Sequence, residues 1–121
     1  ACRAIVVARQ LFNHDPTGQR ELGFFAAVQK KFYVDGQDPS DADFYRDICD
    51  EFGLEFGSFR SAFASTEARQ AVVSDFRLTR QLGVRGFPSV VVDVAGQTHP
   101  VSAGYVSFPE LESRLRAVML T

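Results

Sequence analysis

The sequence predicts an α/β fold that is mostly helical: a block of four or five helices, a β-hairpin, then one closing helix. Three observations carry this. Apolar residues recur at helical spacing through most of residues 1–83. Ser89-Val90-Val91-Val92-Asp93-Val94 is a β-branched run of the kind that forms a buried strand. Ser107-Phe108-Pro109-Glu110 announces a helix, with Ser at the N-cap, Pro in the first turn and Glu at the capping-box position. A chain of 121 residues buries roughly two-thirds of its unfolded surface, enough for one domain's worth of core.

In chain order, residues 1–12 read as the tail of a helix. Asn13-His14-Asp15-Pro16 breaks it, with Asp15 as N-cap and Pro16 at the first position of the next helix. That helix carries Leu22, Phe25, Val28 and Phe32 on one side and runs out near Asp35-Gly36. Pro39-Ser40 opens another, Ser40 and Asp43 standing at capping-box spacing, and Gly53 closes it. Phe56, Phe59 and Phe63 mark a short helix. Ser65-Thr66 caps a long one bearing Ala68, Val72, Phe76, Thr79 and Leu82, ended by Gly83. Strand Ser89–Val94 follows, then a turn around Ala95-Gly96-Gln97, a second short strand near Thr98–Ser102, and a last helix presenting Leu111, Leu115 and Val118. The expected division is a helical domain at 1–83 and a hairpin-plus-helix portion at 84–121.

Strand Ser89–Val94 reads as apolar on both faces, which implies further strands beside it. A two-stranded sheet alone is marginal. Either an N-terminal βαβ unit outside these residues completes the sheet, or two copies of the chain pair their exposed edges as a homodimer. An uncovered edge of this kind invites aggregation.

Composition narrows the function classes. A net charge of −2 and a pI near 5.6 give no electrostatic footprint for nucleic acid or an anionic membrane. The opening Ala1-Cys2-Arg3-Ala4-Ile5-Val6-Val7-Ala8-Arg9 is too short, and too interrupted by arginine, for a membrane span or secretory signal. It has no initiator Met and starts inside a helical pattern, so a fragment is expected. Twelve phenylalanines and no tryptophan point to a core built on Phe; Phe24, Phe25, Phe32, Phe44, Phe52, Phe56, Phe59 and Phe63 read as core before site. Cys49 lies in the stripe Tyr45-Ile48-Cys49-Phe52, and Cys2 falls in register with Ile5 and Phe12. Both read as free, buried thiols, which suits a reducing compartment, so a cytoplasmic location is expected. His14 and His99 have no ligand partners at metal spacing, and no metal site is expected. Asp41, Asp43, Asp47, Asp50 and Glu51 read as a solvated face with favourable charge at a helix start.

The most informative segment is Leu82-Gly83-Val84-Arg85-Gly86-Phe87-Pro88-Ser89. A helix ends, a short glycine-containing loop follows, and a proline stands where a strand begins. Proline cannot donate to a strand ladder, so it tolerates this place best with a cis bond, or where the backbone is reserved for something other than pairing. This segment resembles the cis-proline loop of thioredoxin-fold proteins. With Ala1-Cys2-Arg3-Ala4-Ile5-Val6, Phe32-Tyr33-Val34-Asp35-Gly36-Gln37-Asp38 and the late Gly104-Tyr105, nearly the whole chain resembles the later two-thirds of a DsbA-like protein. That is a thioredoxin-like fold with a helical domain inserted before the hairpin. The similarity is greatest to the branch of predicted protein-disulfide isomerases, whose chains begin with a strand leading into Cys-x-x-Cys.

The resemblance implies a thiol:disulfide oxidoreductase or isomerase acting on protein thiols and disulfides or a small thiol, with no cofactor. Pro88 matches the family's cis-proline, and Phe87 the residue that offers its backbone to an extended substrate. Gly86 would let the backbone turn sharply. Gly86, Phe87 and Pro88 are therefore the expected substrate-binding residues. No catalytic residue is expected in this chain, because it contains no Cys-x-x-Cys and neither Cys2 nor Cys49 matches the family's active cysteines. The chain alone is expected to be inactive. Arg77, Arg80 and Arg85 approach the loop, suited to biasing a thiolate or binding an anionic substrate; helix-dipole compensation accounts equally for the first two. Two other readings fit the residues: a kappa-type glutathione transferase or isomerase relative, with glutathione as co-substrate, and a redox-inactive peptide-binding module.

Overall fold

Aromatic rings at helical spacing need a common interior, and in residues 1–74 they find one. A computed structural model describes residues 1–120. Its first compact unit, 1–74, contains α1 (Cys2–Leu11), α2 (Gln19–Tyr33), a 3-10 turn (Ala42–Tyr45) running into α3 (Arg46–Glu51), α4 (Phe56–Phe63) and the start of α5 (Thr66–Gln81). Ala4, Val7 and Ala8 of α1 pack into one cluster with Phe24 and Val28 of α2, Ile48 and Cys49 of α3, and Phe59 and Phe63 of α4. The rings meet in chains: Phe24 lies 5.9 Å from Phe59, Phe59 5.3 Å from Tyr45, and Tyr45 5.4 Å from Phe63. Full burial of each such side chain stabilises by roughly 1.5–3 kcal/mol. Tyr45 has no exposed surface and keeps its polar end satisfied by donating its hydroxyl to the Pro39 carbonyl at 2.6 Å. Burial pushes its pKa up to about 12. Arg3, Arg20 and Arg46 lie over Phe63, Phe12 and Phe56 at 4.0–4.3 Å, so cations cap the cluster where rings approach solvent. Gly23 is required by packing: a Cβ there would sit 2.9 Å from the Phe52 ring.

Several local expectations shift. α2 begins at Gln19 with Gly18 at the N-cap, three residues after the expected Asp15. Asp15 still satisfies the helix start from a distance, accepting from the Arg20 and Glu21 N–H groups at 3.1 Å, while Pro16 lies in the preceding turn. The buried face of α2 is Phe24 and Val28; Leu22, Phe25 and Phe32 are exposed. Of the expected stripe Val28 alone is buried, because the long run of apolar residues fits two adjacent faces. Asp41, rather than Ser40, caps the 3-10 turn, its carboxylate accepting from Asp43 N–H at 3.0 Å. Ser40 instead closes a turn onto Asp38. Cys49 is buried as expected, but Cys2 is exposed. Helical side chains tilt toward the N-terminus, so the first residue of α1 projects past its own helix.

The second compact unit begins at Asp75, inside α5. It holds the end of that helix, β1 (Ser89–Val94), β2 (Gln97–Ala103) and α6 (Phe108–Met119). The two strands pair antiparallel, Val94 opposite Gln97, closed by Ala95 and Gly96 at φ of 53° and 84°. That pair of left-handed residues is what a two-residue hairpin turn needs. Asp93 accepts from Gly96 N–H at 2.9 Å and locks it. A bulge lies between Val90 and Val91: Val90 faces Ser102, while Val91 faces Pro100, so Val101 is the extra residue. Pro100 thereby occupies a place where a missing donor is tolerated. The displaced Val101 carbonyl accepts from Arg114 of α6 at 3.3 Å. Ser107 caps α6 as predicted, accepting from Glu110 N–H at 3.4 Å. Burial here is thinner than the strand pattern predicts. Every residue of β1 but the exposed Asp93 is half-buried, and Leu111, Leu115 and Val118 are half-buried too. Two strands and one helix among the described residues cover one side of the hairpin at most.

Candidate functional site

The loop between α5 and β1 and the outgoing end of β2 form the walls of one cleft within the second unit, about 480 Å³ in volume. The hairpin register places them together: Ser89 pairs with Ala103, so the next residues out on each strand, Pro88 and Gly104, face each other. Gly104 N–H donates to the Pro88 carbonyl at 2.7 Å. Ser89 Oγ donates to the Gly86 carbonyl at 2.6 Å and braces the loop from inside. The Phe87–Pro88 peptide bond is cis.

Gly86 and Phe87 line the cleft; Pro88 does not, and its carbonyl is already engaged by Gly104. Phe87 is 82% exposed, so its side chain is not part of a core among the described residues. Neither its N–H nor its C=O has a hydrogen-bond partner among the described residues. An unpaired backbone donor and acceptor beside an apolar hollow is what an extended peptide needs in order to add on. Gly86 differs from the expectation. Its backbone is not left-handed, and a Cβ there would meet nothing within 4 Å, so the turn does not depend on glycine at this position.

Residues that the motif alone did not reveal complete the lining: Val91 of β1, and Pro100, Ser102 and Ala103 of β2. Only the hairpin register identifies them. Of the three arginines approaching the loop, Arg85 lines the cleft, and Arg77 and Arg80 do not.

No cysteine lines this cleft. Cys2 and Cys49 both belong to residues 1–74. Burial pushes the Cys49 thiol up to about 11, away from the thiolate form that exchange chemistry uses. His14 is exposed, and His99 stands half-buried in β2 opposite Val92. Three acidic residues of the α3 region are engaged locally, Asp41 as the cap of the 3-10 turn. Asp43 pairs with Arg46 at 3.1 Å, and Lys31 donates to Asp47 at 2.6 Å, a hydrogen bond that holds the Asp47 carboxyl below its ordinary range. Among the described residues no three His, Cys, Asp or Glu side chains converge as a metal site, and no helix is long and apolar enough to cross a membrane.

A helical block entering a hairpin through a proline loop defines a thioredoxin-like protein with a helical insertion. The chain belongs to the DSBA-like thioredoxin domain family, whose profile matches residues 14–116. It is also similar to the crystal structure of a "putative protein disulfide isomerase from Nitrosomonas europaea", at 26% identity and a TM-score of 0.85. The match covers 98% of this chain and 56% of that one, so the chain spans a little over half the length of that neighbour. No curated protein matches significantly.

Proposed function

We propose that this chain provides the substrate-docking part of a thiol:disulfide oxidoreductase, with Phe87 as the residue that receives an extended polypeptide. The observation that carries the reading is the exposed Phe87, whose backbone N–H and C=O are unpaired at the edge of an apolar cleft. Gly86 lines the approach, and Pro88 positions Phe87 through the Gly104 hydrogen bond. A substrate strand laid along the loop exchanges main-chain hydrogen bonds with Phe87 and places a side chain in the cleft.

The exchange itself needs only sulfur. A thiolate attacks one sulfur of a disulfide, the other sulfur leaves as a thiolate and takes up a proton, and a second thiol resolves the mixed disulfide in the same way. The dithiol for that reaction lies outside these 121 residues, which hold Cys2 and Cys49 but no Cys-x-x-Cys. Docking and chemistry are therefore separable here.

The test is an amide NMR titration of the chain with a short unfolded peptide, beside a turbidity assay of insulin reduction by dithiothreitol. Saturable shifts centred on Phe87 and Gly104, weakened several-fold by Phe87→Asp, are expected, together with no acceleration of insulin reduction. Shifts confined to residues 1–74, or none at all, would overturn the docking role.

A further inference from the structure

The cleft carries one chemical feature that backbone docking does not use. Of the twelve residues lining it, Arg85 alone is charged; the others are apolar, glycine or serine. Its guanidinium makes no ion pair or hydrogen bond among the described residues. Two other arginines of the same unit are held: Arg114 by Glu110 at 2.8 Å, and Arg116 by Glu112 at 3.0 Å. No carboxylate lines the cleft to neutralise Arg85.

We propose that Arg85 makes this cleft selective for polypeptide segments that carry a carboxylate close to an apolar side chain. The inference rests on the docking role of the 86–88 loop and adds what the loop prefers. An apolar residue of the segment enters between Val84, Val91 and Pro100, and an Asp or Glu side chain a few residues away meets the guanidinium. A planar carboxylate matches the guanidinium fork. Apolar walls beside the charge keep screening lower than on an open surface. The cleft holds a single cation, which suits one monoanion rather than a phosphate dianion. Arg85 acts here as a specificity residue, without a part in bond making.

The discriminating experiment measures fluorescence anisotropy of the chain with a set of labelled peptides, in which Glu, Gln or Lys scans the positions flanking a central Leu. At low ionic strength the best Glu peptide is expected to bind about two- to fivefold tighter than its Gln counterpart, the range of an exposed to half-exposed ion pair. The Lys counterpart binds weakest. The preference should vanish in Arg85→Gln, persist in Arg85→Lys and in the control Arg80→Gln, and shrink as salt is raised. Equal binding of Glu and Gln peptides by the unaltered chain, or a preference that survives Arg85→Gln, overturns the selectivity while leaving the docking role intact. Failure of every peptide to bind overturns both.

Discussion

In residues 1–74, Phe24, Tyr45, Phe59 and Cys49 have no exposed surface, and eleven other apolar residues are buried with them. In residues 75–121 only Val101 and Ser102 are buried among the described residues, while Phe87, Tyr105 and Phe108 are each more than 70% exposed. The first unit is held by rings touching rings. The second is held by backbone chemistry: a two-residue turn, a bulged ladder, and a Ser107 cap. With the proposed docking role, the difference divides stability from recognition. A surface that keeps aromatic side chains and a free peptide group open to a partner cannot also bury them.

The largest test of that contrast is Phe59→Ala. Phe59 meets Phe24, Tyr45, Phe56 and Phe63, and its loss opens a cavity that no flexible side chain fills. A destabilisation of about 3–5 kcal/mol is expected from urea unfolding followed by circular dichroism. A cost below about 1 kcal/mol would mean that the ring cluster is not what holds the first unit.

Alkaline pH supplies the next test. Burial raises Cys49 from 9.0 to about 11 and Tyr45 from 10.0 to about 12. Above pH 9 the unfolded chain gives up the thiol proton while the folded chain keeps it, so the unfolded state binds fewer protons and stability falls as pH rises. The loss begins with Cys49 between about pH 9 and pH 11 and continues with Tyr45 toward pH 12. Cys49→Ala should flatten the early part of the decline in thermal melts at stepped pH. The same burial predicts that a thiol reagent modifies Cys2 rapidly in the folded protein and Cys49 only after unfolding. Equal rates for the two would contradict the packing.

The smallest expected effect sharpens the other side of the comparison. Ser107→Ala removes the side-chain cap of α6 and should cost about 0.5–2 kcal/mol. Read by hydrogen exchange, the loss should appear in α6 and in β2, which Arg114 ties together. Uniform weakening across α1 to α4 would erase the distinction between the two units.

What the sequence made legible follows the same line. The hairpin turn at Ala95-Gly96, the cap at Ser107, the Ser65 cap of α5 and the strand at Ser89–Val94 all depend on residues within a few positions of one another, and all were readable. The loop at 86–88 was readable too, as a motif. The buried face of α2 was not, because Phe24 and Phe25 are adjacent and only the rings of Phe12, Phe52 and Phe59 decide which turns inward. Cys2 was misplaced because a stripe on a helix says nothing of whether its first turn is covered. The β2 wall of the cleft escaped notice for a third reason: a bulge sets the register, and Pro100 in a strand does not by itself announce one.

The bulge at Val101 has a consequence for how this chain can change length. Substituting Val101 with another β-branched residue keeps the count of residues between the Ala95-Gly96 turn and Gly104. Deleting it lowers that count by one and removes the bulge, leaving Val91 opposite Pro100 and Val90 opposite Ser102 in an unbroken ladder. Gly104 would keep its place across from Pro88, while Arg114 would lose the carbonyl it holds. The extra residue therefore serves the bend of the strand and its tie to α6, and the shape of the loop rests on the pairs to either side.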